Sequence, residues 1–272
     1  LADFRYPMSH MNQPLIGIDK LLAESWNAVF KEWKQTLGWT LGIIFVPFLI
    51  NIVFILPIIA EPRLGQNPFF QVISPILVWG ASLYFLAGLF RYFLDKKTEV
   101  KVSFTDVVSL AWIGLLMALL LIPAFIFFIL PGIWLSVAFS LAMPIYLKEG
   151  KKGWGALKTS YAIVKGRWWA TFIRFLVPNL VYGIGVSVVF GVFSIIIGIV
   201  ASIPVSSFIH ALEQGSDISQ ALGTVGPAWF IGLPVILLAF IALAIVSSIL
   251  LTLARTSVWT NIYKSLSETT TK

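Results

Sequence analysis

Cysteine is absent from the chain, which removes disulfides, thiolate nucleophiles and cysteine metal sites together and leaves the redox compartment unread. Histidine is almost absent as well, with only His10 and His210 present. Charged residues make up 11% of the chain, where ordinary globular domains carry roughly a quarter. A catalytic centre needs an acid, a base or a nucleophile held in a pocket, and no ionisable residue falls near the middle of any long apolar run. No enzyme activity, cofactor or metal is therefore expected. His210, Glu213 and Asp217 lie close enough in sequence to suggest a ligand set, but one histidine with two nearby acids more commonly marks an exposed connection. A short basic leader is also missing. The first apolar run begins near Leu37, behind a charged amphipathic stretch, so a cleavable signal peptide is not expected. Residues around Met8 and Met11 are assigned no element.

What is abundant is apolar surface. Hydrophobic residues reach 58% and mean hydropathy is +0.92, spread along the chain rather than gathered in one anchor. A spanning helix needs roughly 20 apolar residues to cross a hydrocarbon core about 30 Å thick. Six runs qualify: Leu37–Ala60, Phe69–Phe90, Val107–Ile129, Gly132–Leu147, Trp168–Pro204 and Ala228–Leu253. The fold class expected is an all-α polytopic membrane bundle of six transmembrane helices in one domain. Residues 1–36 form an amphipathic lead-in, 37–254 the spans and 255–272 a tail. Pro131-Gly132 is expected to make a tight reversal between the third and fourth runs. The fifth run is too long for one perpendicular crossing and must tilt, kink near Pro178 or project outward.

The formal charge of +7 would suggest nucleic acid in a soluble protein, but here topology explains it. Lysine and arginine concentrate in cytoplasmic loops. Of the 19 basic residues, all but Arg63 fall before the first run, between the second and third, between the fourth and fifth with Arg174 just inside, or after the sixth. Both termini are therefore expected in the cytoplasm of a cell-membrane protein, with no nucleic-acid partner.

Amphipathic segments flank these runs. Leu15, Ile18, Leu22, Trp26, Val29 and Trp33 recur at helical spacing opposite Lys20, Lys31 and Lys34. Before the fifth run Trp154, Leu157, Tyr161, Val164 and Trp168 form a similar stripe, and an offset of about 135 residues aligns Leu22, Ser25, Val29 and Trp33 with Leu157, Ser160, Val164 and Trp168. Ser103 and Asp106 are candidate caps of a shorter third version. These helices are expected to lie along the cytoplasmic interface. Lys151, Lys152, Lys158, Lys165, Arg167 and Arg174 are the candidate contacts for anionic lipid headgroups, because they are dense and adjacent to aromatics. Arg91 and Arg255 read as snorkelling residues, and Ser160 as bonding back within its own helix.

The stretch Leu130-Pro-Gly-Ile-Trp-Leu-Ser-Val-Ala-Phe-Ser-Leu-Ala-Met-Pro-Ile-Tyr, then Glu149-Gly and Gly155-Ala-Leu-Lys-Thr-Ser-Tyr-Ala-Ile-Val-Lys-Gly-Arg-Trp, resembles the membrane domain of glycerophosphoryl diester phosphodiesterases and related six-span proteins of unknown function. The resemblance is strongest over Leu130 to Phe172. It implies an architecture and a membrane address. It is not expected to bring hydrolysis, because few residues follow the last run and no histidine and acid cluster could hold a divalent metal. The function expected is a non-enzymatic membrane domain that contacts membrane lipids or organises a protein partner. The alternative is a transporter or channel-like protein for a lipidic or small solute, drawn from Asn51, Asn179 and the prolines Pro47, Pro57, Pro123, Pro178 and Pro234 within or near spans.

Overall fold

The computed structural model describes residues 15–96, 99–225 and 227–271. The sequence readings at Arg5, Met8, His10, Met11, Lys97 and Lys272 lie outside the described residues. The elements are α1 (Ile18–Ala60), a 3₁₀ turn (Pro62–Gln66), α2 (Pro68–Asp95), α3 (Phe104–Phe127), α4 (Ile129–Phe139), α5 (Ala142–Glu149), α6 (Trp154–Val164), α7 (Trp168–Glu213), α8 (Ile218–Val225) and α9 (Pro227–Thr271). No strand occurs among the described residues. Six helical stretches are long and apolar enough to cross a membrane: α1, α2, α3, α4 with α5, α7, and Pro234–Ser267 of α9. The chain is an all-α, multi-pass membrane protein.

Element boundaries differ from the sequence reading wherever amphipathic and apolar stretches adjoin. The lead-in and first span are one helix of 43 residues, α1, because no glycine or proline separates Lys34 from Leu37. Residues 255–271 are no free tail. They continue α9 and bury Thr256, Val258, Ile262, Tyr263 and Leu266. The fifth run extends to Glu213 as α7, helical through Pro178, so much of the loop expected after Val205 is helix. The reversal between α3 and α4 sits at Phe128, whose backbone is extended (φ −156°, ψ 125°). Pro131 instead occupies the first turn of α4, where a missing N–H costs least.

Two units divide the chain, residues 1–179 with 250–272, and residues 180–249. In the first, the core gathers at the end where α1 begins and α2 finishes. Its buried side chains include Leu21 and Val29 of α1, Leu89 and Phe93 of α2, Leu110 of α3, Ile145 of α5, Leu157 of α6 and Leu253 of α9. Charged residues concentrate around the same core, and we call this the basic end. Away from it apolar side chains face outward, as Phe48, Ile55 and Ile59 do on α1 and Val72 and Ile76 on α2. That inversion of the soluble pattern suits lipid as solvent. In the second unit α7 pairs with α9 through Phe190 and Phe193, whose rings lie 5.3 and 6.0 Å from that of Phe240.

The inward face of α1 cuts across the apolar stripe read from helical spacing. Leu21, Ser25, Ala28, Val29, Thr36 and Thr40 are buried, whereas Trp26, Phe30 and Trp33 are exposed. Small residues face the neighbours, which lets helices approach closely. The buried hydroxyls of Thr36 and Thr40 donate to carbonyls four residues back, at 2.8 and 3.0 Å, so they carry no unmet donor into the core.

The α1–α2 hairpin is held by a reciprocal fit. A Cβ on Gly42 would lie 2.1 Å from the Phe85 ring, and one on Gly88 would lie 2.2 Å from the Trp39 indole. Each helix thus offers a glycine notch to the other's aromatic ring. Gly183, Gly185, Gly191 and Gly198 of the fifth long helix, by contrast, have open space at the Cβ position. Gly88→Val is expected to cost about 1–3 kcal/mol through overpacking, seen as a lower unfolding midpoint in detergent. Gly80→Val, in open space, is the control, and an equal loss in both would point to helix propensity instead of the notch.

Candidate functional site

The basic end is assembled by polar contacts that lock one helix terminus onto the next. Asp106, in the first turn of α3, is the hub. It completes a capping box with Ser103, accepting that residue's backbone N–H at 2.8 Å. Its other oxygen accepts from the Arg91 guanidinium of α2 at 2.9 Å and from the Tyr146 hydroxyl of α5 at 2.9 Å. Arg91 also donates to the Lys101 carbonyl. Arg91 is therefore a half-buried partner in an ion pair, where its position near a span end had suggested snorkelling. The carboxylate is nearly buried, and three converging donors offset its desolvation.

Around this hub the helix ends pair in sequence. Lys96, the left-handed C-cap of α2 (φ 54°), reaches Glu32 of α1 at 2.5 and 2.7 Å. Tyr92 donates to Gln35. Lys148 of α5 meets Asp95 of α2 at 2.5 Å, and Lys264 of α9 donates to the Phe93 carbonyl in the last turn of α2 at 2.8 Å. Cations at that C-terminus suit the helix dipole. Glu149 ends α5 between Lys151 at 2.8 Å and the Tyr263 hydroxyl of α9 at 2.9 Å.

Helix α6 is seated by Ser160 rather than by an aromatic stripe. Its buried face is Ala156, Leu157, Ser160 and Val164, with Trp154 exposed. Ser160 does not bond back within its own helix. Its hydroxyl donates to the Ala138 carbonyl at 2.7 Å and accepts from the Leu141 N–H at 3.2 Å. Those two groups flank the break between α4 and α5, where regular helical pairing lapses. Gly150 (φ 71°) and Gly153 (φ 50°) take positive φ values, which admit the chain into α6. A Cβ on Gly153 would meet the Trp112 indole at 3.1 Å.

The six candidate lipid contacts separate into two kinds. Arg174 is turned inward: its guanidinium donates to the carbonyls of Ile16 at 2.8 Å, Ala170 at 2.9 Å and Leu15 at 3.3 Å. Lys151 is committed to Glu149, and Arg167 is partly covered. Lys152, Lys158 and Lys165 are exposed. Lys158 lies on α6 and Lys165 is the non-helical residue that ends it. Aromatic rings flank them. Trp134 meets Tyr161 edge-on at 5.6 Å, Trp168 stacks on Phe172 at 5.1 Å, and the Trp168 indole N–H donates to the Trp134 carbonyl at 3.0 Å.

Other sequence candidates resolve into local structure. Asn51 and Asn179 each donate to the carbonyl four residues back, at 2.9 and 2.8 Å, on Pro47 and Phe175. In the second unit His210 lies 3.8 Å from Glu213 and 3.0 Å from the Gln214 amide. Asp217 caps α8, accepting from the Ser219 hydroxyl at 2.6 Å and the Gln220 N–H at 2.8 Å. These bonds, the Ser219 hydroxyl foremost, hold its carboxyl below the usual carboxylate range. Their contribution is present at neutral pH and fades as pH falls through that lowered value. No group of three or more histidine, aspartate or glutamate side chains is placed to hold a metal ion among the described residues.

Comparisons of the chain with protein-family models, curated proteins and solved structures find no match.

Proposed function

We propose that the protein is a non-enzymatic membrane domain that retains anionic lipid headgroups at its basic end, with that end and both termini in the cytoplasm of a cell membrane. One observation carries the reading: Lys152, Lys158 and Lys165 stay exposed while the neighbouring cations are spent on carboxylates and carbonyls. A lysine needed only for topology has no reason to be spared pairing on and beside α6, among tryptophans. Near an anionic leaflet each such charge contributes about 1 kcal/mol, and indole rings favour headgroup depth. The distribution of basic residues supports the orientation. The resemblance over Leu130 to Phe172 accords with a membrane address and adds no activity.

Solute transport is the weaker reading, because the amides of Asn51 and Asn179 are absorbed by their own helices. The test is lipid identification by mass spectrometry on protein extracted in native-lipid particles, comparing the parent with a Lys152→Gln, Lys158→Gln, Lys165→Gln variant. Several-fold loss of one anionic lipid class in the variant, with thermal stability unchanged, is the expected outcome. Equal lipid profiles for the two proteins would remove the headgroup site.

A further inference from the structure

The first turns of α1, before the span, present three faces. Leu21, Ser25, Ala28, Val29 and Thr36 are buried on one. Trp26, Phe30 and Trp33 recur at helical spacing on a second, and are 52, 58 and 44% exposed. Lys20, Lys31 and Lys34 lie exposed on the third. At roughly 100° per residue the three stripes stand about 120° apart. A helix packed on a core and otherwise in water needs only two faces. Asp19 shares the aromatic side but sits in the first turn, where the helix dipole favours an acid.

The aromatic face continues one that the span gives to lipid. Phe48 stands about five helical turns beyond Phe30, with Ile55 and Ile59 on the same side, and all three are exposed. The lysine face is carried on by Phe45, Leu49 and Leu56, which are exposed and apolar. One outward side of α1 is therefore apolar along its length, while the other changes from charged to apolar where the span begins. Such a helix keeps one side against lipid throughout and turns the other to water over its first part only.

The depth of this segment is fixed at both ends. At one, Lys34 directly precedes the apolar run that begins at Leu37. At the other, the Arg174 guanidinium holds the carbonyls of Leu15 and Ile16. Arg174 stands only about 10 Å along the chain from Arg167, and the exposed Trp169, Ile173 and Leu176 around it show that lipid begins at the start of α7. Its neighbour Phe175 meets Trp259 of α9 at 5.3 Å, and Trp259 meets Phe90, next to Arg91, at 6.1 Å. The first turns of α7 thus lie beside the last turns of α2. Continued straight outward from Lys34, the chain would carry Leu15 about 28 Å from the span, beyond the reach of a side chain so near the start of α7. The segment therefore runs across the basic end instead of away from it.

We infer that residues 15–36 form a strap in the plane of the membrane at the basic end. Trp26, Phe30 and Trp33 are set at the boundary between headgroups and acyl chains, and Lys20, Lys31 and Lys34 are turned to water and anionic headgroups. The occupant of the aromatic face is the leaflet itself. Indole rings suit that depth, and lysine stems carry their charge out of it. The Lys34 ammonium lies 5.7 Å from the centre of the Trp33 ring, on the seam between the two outward faces. Arg174 is the pin that keeps the start of the strap at this depth. None of the three exposed lysines of the headgroup reading takes part, so that reading can fail without affecting the strap.

The absence of native cysteine makes the test direct. Trp26→Cys and Phe30→Cys probe the aromatic face and Lys31→Cys the lysine face, in full-length protein held in vesicles of phosphatidylcholine and phosphatidylglycerol. Ala23→Cys, exposed on the same side as Phe30, repeats the reading without removing an aromatic ring. A membrane-impermeant maleimide is added after pore-forming permeabilisation. In parallel, protein labelled with bimane in detergent is reconstituted and quenched with lipids brominated at known acyl depths. Expected are maleimide reaction roughly tenfold faster at Lys31→Cys than at the other three positions, and bimane quenching at those three strongest for bromines in the upper part of the acyl chain. Equal maleimide rates at all four positions would overturn the inference, since the segment would then stand in water. Shielding of positions 23, 26 and 30 from both the maleimide and the bromines would overturn it too, placing a protein partner or a second copy on that face.

Discussion

Asp106→Ala is expected to destabilise the basic end by about 3–4 kcal/mol, because it removes one partner of a largely buried ion pair and a helix cap together. Arg91 would be left beside the Lys101 carbonyl without its carboxylate, Tyr146 would lose its acceptor, and Ser103 would lose half of its capping box. For a chain of this length each kcal/mol moves the unfolding midpoint by about 2–4 °C, so a fall of roughly 10 °C in detergent is predicted. Tyr146→Phe removes one donor and should cost only about 1 kcal/mol. Asp106→Asn keeps an acceptor and should fall between the two. If all three variants unfold alike, Asp106 is not the hub described here.

Ser160→Ala carries the second large effect, about 2–4 kcal/mol. The hydroxyl serves the Leu141 N–H and the Ala138 carbonyl at once, in a fully buried place that water does not readily refill. Each orphaned group costs about 1–3 kcal/mol. Hydrogen exchange gives a local readout: the Leu141 amide should lose protection well beyond the global change in stability. Thr159→Ala, buried one position earlier, is the control. A Leu141 amide that stays protected in Ser160→Ala would mean another group satisfies the break.

The sequence made the membrane class and the helical runs legible because lipid imposes a long, charge-poor pattern that few other environments produce. It also marked Ser160, Asp106 and Arg91, but gave Ser160 a partner within its own helix and Arg91 no partner at all. The reason is distance along the chain. Arg91 finds Asp106 15 residues on, and Ser160 finds Ala138 22 residues back, separations at which helical periodicity carries no information. Trp26 and Trp33 read with Leu22 and Val29 as one apolar stripe of an interfacial helix, since spacing alone does not divide such a stripe into core-facing and exposed residues. Here the core face is small and hydroxylated, and the large rings are left outside. The offset that aligned Ser25 with Ser160 and Val29 with Val164 extends to Thr36 and Thr171, all of them buried, with both threonines bonding four residues back. Helix continuity separates the two copies: α1 runs through Trp33, while Lys165, Gly166 (φ 87°) and Arg167 divide α6 from α7. A single glycine of left-handed conformation is enough to produce that difference.

The grip of Arg174 on Leu15 and Ile16 has a consequence in time. Its partners are made first, and the guanidinium that holds them is made 158 residues later. At a synthesis rate of about 5–20 residues per second, the start of the chain leaves the ribosome roughly 8–30 s before its clasp exists. Through that interval the first helix can pair with α2 but has no clasp on the residues that lead into it, and the basic end closes only when α9 later brings Tyr263 and Lys264 to Glu149 and Phe93.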